Sequence, residues 1–203
     1  MGAGAEPLPI GGPCFEPDLM THLNRAGLLP DGHRVPDLLR PGLKLVFCGT
    51  ALGRVSAQKR AYYAHPGNFF WRTLYGVGLT PERLAPTDYP RLLDYGIGLT
   101  DLCKAHYGND VDLPAEAWDA EALTAKIAAY APQHLAFTSK TAASVFLERP
   151  TGKIALGLQA GKAGETSLRV LPSPSGQARR FWDEAAWRDL AQAVTPCPEP
   201  SAT

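Results

Sequence analysis

Cysteine is scarce: four in 203 residues, Cys14, Cys48, Cys103 and Cys197, each alone in the chain. No CxxC pair and no Cys/His cluster with zinc-site spacing occurs, which excludes a disulfide scaffold and a zinc module. The thiols read as reduced, with Cys48 and Cys103 packed as small apolar residues, and neither a metal nor a cofactor is expected. Long apolar runs are missing too; nothing approaches the about 18 residues a membrane span needs. The first 20 residues lack the basic start and apolar stretch of a secretory signal. Glu6 stands where a myristoylation signal wants Ser or Thr. The expected compartment is the cytoplasm, at the nucleoid if the source is bacterial. An excess of either charge is also absent, with 20 basic and 20 acidic residues.

What is present is a globular composition. The hydrophobic fraction is 45%, and 20 Gly with 19 Pro mark many loops without reaching a disordered or fibrous bias. The length suits one domain. The neutral charge balance conceals an uneven distribution. Residues 38–81 carry Arg40, Lys44, Arg54, Lys59, Arg60 and Arg72 and no acidic residue. Residues 149–182 carry Arg149, Lys153, Lys162, Arg169, Arg179 and Arg180 against Glu165 alone. If the fold brings these stretches together, a neutral chain presents a basic face to nucleic acid. Ordinary solvated charge is the competing reading.

Residues 1–36 read as a loosely structured arm, 37–194 as one α/β domain, and 195–203 as a disordered tail. Leu43–Cys48 is an apolar run without polar alternation, the pattern of a strand buried on both faces. Gly49–Gly53 follows as a glycine-punctuated turn. Tyr95–Leu102, His134–Phe137 and Leu168–Leu171 are the other expected strands. Helices are expected over Asn68–Tyr75, with Asn68 as cap, over Glu116–Tyr130, from Thr138 or Ser139 to Leu147, and over Ala178–Val194. Alternating strands and helices predict a mainly parallel, four-stranded sheet covered on both faces in an α/β/α sandwich. Sites in such folds lie at the carboxyl ends of the strands.

Three loops there carry chemistry. Gly49-Thr50-Ala51-Leu52-Gly53 is neither a P-loop nor GxGxxG, but its glycines let backbone approach a ligand closely. Tyr62 to Trp71 packs five aromatic rings into ten residues beside Lys59, Arg60 and Arg72, a pattern suited to base stacking next to phosphate. Phe70 and Trp71 read as core, Tyr63 as an exposed stacking platform. Leu171-Pro-Ser-Pro-Ser-Gly176, before a helix, offers small hydroxyls and amides to phosphate.

Together, VFCG (46–49), HPGNFFW (65–71), LLDYGIGLT (92–100) and LPSPSG (171–176) resemble the uracil-DNA glycosylase superfamily, most closely its mismatch-specific uracil/thymine branch. The resemblance implies a metal-free, monofunctional enzyme of base-excision repair that flips uracil out of DNA, hydrolyses its N-glycosidic bond and leaves an abasic site. It implies a monomer acting on double-stranded DNA. Where that branch has a water-positioning Asn, this chain has Ala51, and Leu171 replaces a second polar residue. The backbone of Thr50 and Ala51, or the side chains of Thr50, Ser56 or Asn68, are the candidates to hold the water. Gly49, Tyr63, Asn68 and Phe69 are the candidates for base contact. Arg54, Lys59, Arg60, Ser173, Ser175, Gly176, Gln177 and Arg179 are the candidates for DNA contact. Ser56 and Thr50 also suit plain loop hydroxyls, and Asn68 a plain helix cap. Asp101 ends an apolar strand on the same rim, with nothing in the sequence tying it to the sugar. Excision of deaminated purines (hypoxanthine or xanthine) and damage binding without turnover are the alternatives.

Overall fold

The computed structural model describes Leu29 and residues 33–195; the rest of the arm and tail, with Cys14 and Cys197, lies outside the described residues. Five strands form one sheet: β1 (Leu45–Leu52), β2 (Ile97–Tyr107), β3 (His134–Phe137), β4 (Gly157–Ala163) and β5 (Thr166–Val170). Their order is β2-β1-β3-β5-β4, parallel except for β4. The expected four strands are thus joined by a fifth. GLQAGKA has no apolar run, and its exposed residues outnumber the rest, so it reads as loop. It becomes a strand through tertiary pairing, in a hairpin with β5 that turns at Gly164, φ 61°.

β1 is an interior strand between β2 and β3, and its first five residues are buried. Alternation sends Phe47 to one face and Val46 and Cys48 to the other. Phe47 meets Phe70 edge-on at 5.2 Å and stacks on Trp187 at 5.6 Å. Those rings come from α2 (Phe70–Gly76), which follows α1 (Arg54–Lys59), and from α5 (Ala185–Val194). The other face receives Leu123 and Ile127 of α3 (Ala120–Tyr130) and Ala142 and Ala143 of α4 (Lys140–Leu147). Ser139 caps α4, its side chain accepting from the Ala142 amide. Cys48 and Cys103 are buried free thiols.

Two expected elements change shape. Gly49–Leu52 is not a turn: β1 continues through it, held by β2 with Gly49 opposite Asp101 and Ala51 opposite Cys103. The expected helix 178–194 is split into a 3-10 turn, Gly176–Phe181, and α5, with Trp182 extended between them. Leu29, Val35 and Leu38 are buried. Leu38 exchanges both backbone hydrogen bonds with Leu99, at 2.9 and 3.0 Å, which straps residues 35–39 to the outer edge of β2.

Candidate active site

At the carboxyl ends of β1 and β2, the register brings Gly49 beside Asp101. A Cβ at Gly49 would overlap Asp101 Oδ1 and come within 3.4 Å of the Tyr63 hydroxyl, so only glycine lets these groups converge. Asp101 is 4% exposed, and its Oδ2 has no hydrogen-bond partner. Burial pushes its carboxyl up to about 6, with Lys104 pulling it back and Asp37 pushing it further.

Lys104 belongs to a buried network. Its Nζ donates to the Tyr62 hydroxyl at 2.7 Å, lies 2.9 Å from Asp37 Oδ1 and 3.8 Å from Asp101 Oδ2. Lys126 on α3 reaches Asp37 Oδ2 at 2.6 Å, and the Thr100 hydroxyl donates to Asp37 Oδ1 at 2.7 Å. Burial opposes ionisation of Asp37, but Lys104 and Lys126 outweigh it and hold the carboxyl well below its usual range. Burial likewise works against the Lys104 charge, and Asp37 and Asp101 more than restore it.

Tyr63 is not the exposed platform expected. It is half-buried, its ring stacked on Phe70 at 3.9 Å and 17°, with its hydroxyl 3.2 Å from Thr138 Oγ1. Its φ of 53° is a left-handed conformation unusual for an aromatic residue. Ser56 helps hold that turn: buried, it accepts the Ala64 amide at 2.9 Å. Phe70 and Trp71 are core, as read.

The remaining candidates are distributed around this centre. The Thr50 hydroxyl donates to Asp110 Oδ1 at 2.7 Å, and Ala51 lies half-buried beside it. Asn68 is not the N-cap expected: α2 starts later, with Phe69 in that position, and Asn68 lies just ahead of it, its Oδ1 accepting the Phe70 amide at 2.9 Å. The Phe69 amide, expected to reach a base, donates instead to the Pro174 carbonyl at 2.8 Å. That bond joins the HPGN loop to the PSPSG loop. Gly176 tightens the junction, since a Cβ there would lie 3.0 Å from the Gly67 carbonyl oxygen. Ser173 and Ser175 accept the amides of Ser175 and Gln177, and Gln177 Nε2 donates to Asn109 at 3.2 Å.

The two basic stretches do meet. Arg72 and Arg179 both lie over the Phe69 ring, at 3.5 and 5.2 Å from its centroid. Both arginines are exposed, as is Lys59; Arg54 pairs loosely with Asp112 at 3.7 Å, and Arg60 closes α1 in a left-handed conformation. Two other residues of these stretches serve the fold: Arg40 bonds the Leu93 carbonyl and Arg169 pairs with Asp189. Asp37, Lys104 and Lys126 went unnoticed in the sequence, and Thr138 was read only as a candidate helix cap, a place that Ser139 takes. Each is an isolated polar residue, without a motif around it, until the chain folds.

The family model described as the uracil DNA glycosylase superfamily matches residues 36–191. This chain therefore belongs to the uracil DNA glycosylase superfamily. Among solved structures, it is similar to a Methanosarcina acetivorans protein studied by solution NMR and described as a candidate uracil DNA glycosylase. The TM-score is 0.56 at 23% identity, over 79% of this chain and 96% of that one. That likeness carries the fold. Among the described residues no helix is long and apolar enough to cross a membrane, and no cluster of three metal-ligating side chains occurs.

Proposed function

We propose that this protein is a monofunctional uracil-DNA glycosylase of the mismatch-specific kind, acting as a monomer on double-stranded DNA, and that Asp101 activates the water. The observation that carries the reading is the Asp101 carboxylate: buried, one oxygen unpartnered, packed against Gly49 and beside the Tyr63 hydroxyl. A carboxylate held near neutral proton affinity suits a general base, and it supplies what Ala51 lacks.

In the proposed reaction the uracil leaves the stack, at a cost of about a few kcal/mol that a mismatch lowers. Tyr63, already backed by Phe70, offers its ring to the base. The C1′–N1 bond breaks with its electrons leaving on the base, and positive charge develops on the sugar. Water attacks C1′, and Asp101 takes its proton. The base departs as an anion that is reprotonated from solvent. The Arg72 and Arg179 pair on Phe69, with the PSPSG loop, grips the phosphates. Lys104 stays charged between two carboxylates, so it is no amine nucleophile, which favours hydrolysis over lyase chemistry.

The test is a labelled duplex with one uracil opposite guanine, with enzyme in excess. Strands should break at uracil only after alkali, and Asp101→Asn should slow that chemistry by about 10²–10⁴-fold. Breakage at hypoxanthine or xanthine but not uracil would transfer the activity to deaminated purines. Intact strands with a gel shift would make the protein a binder.

A further inference from the structure

Asp101 shares its surroundings with three other charges, and their arrangement is uneven. The Lys104 ammonium has two short contacts, Asp37 Oδ1 at 2.9 Å and the Tyr62 hydroxyl at 2.7 Å. The Tyr62 hydroxyl is committed to accepting there, because it donates onward to the Pro36 carbonyl at 3.1 Å. The strap at 35–39 thus grips Lys104 from two consecutive residues, Pro36 through Tyr62 and Asp37 directly. Asp101 receives the same ammonium only at 3.8 Å, beyond hydrogen-bond range.

We propose that Asp37 is a positioning residue for catalysis: by holding Lys104 away from Asp101, it leaves the Asp101 carboxylate free to accept a proton from water. The inference rests on Asp101 acting as the base. Without Asp37, the ammonium would close on Asp101 and convert a reactive carboxylate into a quiet ion pair. Lys126 acts in the opposite sense, engaging Asp37 from α3 at 2.6 Å and supplying the second positive charge. With Asp101 ionised the four groups sum to zero; with it protonated they sum to plus one. Among the described residues, the other titratable groups that interact with Asp101 are the Tyr62 and Tyr63 phenols and the Cys48 and Cys103 thiols, all kept neutral by burial.

The geometry makes two substitutions act with opposite sign. Single-turnover excision, at saturating enzyme so that DNA affinity drops out, is measured from pH 4.5 to 8.5. Wild type should rise with pH and level off above the Asp101 titration, near 6. Asp37→Asn should move that rise to lower pH by about one unit, roughly the effect of a single charge at this range. It should also lower the plateau, because the remaining base is weaker. Lys126→Met should move the rise to higher pH and, by the same argument, raise the plateau rather than lower it. A purely structural role for Asp37 and Lys126 would change melting temperature while leaving both midpoints at the wild-type pH. That result, or shifts of the same sign, overturns the proposal. The parent reading fails separately, if wild type has no rise near pH 6 or Asp101→Asn retains full activity.

Discussion

Among the described residues, two concentrations of charge are built in opposite ways. Beneath the ends of β1 and β2, Asp37, Asp101, Lys104 and Lys126 keep between 3% and 22% of their side-chain surface. Around Phe69, the exposed Arg72 and Arg179 lie over a buried aromatic ring. Charges under protein are screened little by salt, so the quartet responds to the loss or gain of one proton. Charges in water are screened beyond a Debye length of about 10 Å at 0.1 M salt, so the rim responds to ionic strength and to a polyanion. On the proposed reading, the first region controls the chemistry and the second holds DNA.

Breaking the quartet should have the largest effect on stability. Lys104→Met leaves Asp37 and Asp101 buried without their shared partner, and a buried pair broken this way costs about 3–5 kcal/mol. Arg169→Met, also at a buried cation, is the control. Its partner Asp189 keeps 61% of its side-chain surface and returns to water. Urea unfolding at pH 7 should show the Lys104 variant losing several times more than the Arg169 variant. Equal losses would mean that the quartet is already solvated.

The second effect is a gain. Asp101 titrates near 6 in the fold against an ordinary 3.8, so the native state binds the proton more tightly than the unfolded chain does. Stability from this group is greatest at low pH and falls as pH rises through the window from 4 to 6. Above it the cost is complete, about 3 kcal/mol for two units. Asp101→Asn should therefore raise the urea midpoint at pH 7, and the advantage over wild type should vanish by pH 4. A proposed base that destabilises its own fold fits the common trade of stability for function.

How much of this could be read in the sequence follows from which interactions are local. The apolar runs at 43–48 and 134–137, the Ser139 cap and the core rings of Phe70 and Trp71 depend on neighbours in sequence, and all were legible. The loops at 65–71 and 171–176 were legible as a pair, and Phe69 does meet Pro174. The quartet was not. Asp37 precedes β1, Asp101 and Lys104 sit on β2 and Lys126 on α3, so only strand register and helix packing unite them. Asp101 was visible as a rim residue, but its closeness to Gly49 depends on a parallel pairing that no spacing encodes. The fifth strand was missed for the same reason: its pairing, not its residues, makes it one. Ser56 shows the reverse case, a hydroxyl suited to catalysis that holds the Ala64 amide. Ser56→Ala should cost about 1–3 kcal/mol by stranding that buried donor. Its pH-rate profile should keep the wild-type midpoint.

The smallest effect separates the two regions most cleanly. Arg179 belongs to the rim alone, sharing Phe69 with Arg72 and lying outside the quartet. Arg179→Ala removes one counterion-releasing contact, so the slope of log affinity against log salt should become shallower by about 0.9. The loss in affinity should be similar for uracil-containing and intact duplexes, because a phosphate contact carries no base information. At saturating enzyme the pH dependence of excision should match wild type, since no charge near Asp101 has changed. Asp37→Asn should show the converse, a displaced pH profile with an unchanged salt slope. A variant of either region that moved both observables would join the rim to the quartet electrostatically, and the division between holding DNA and moving the proton would have to be abandoned.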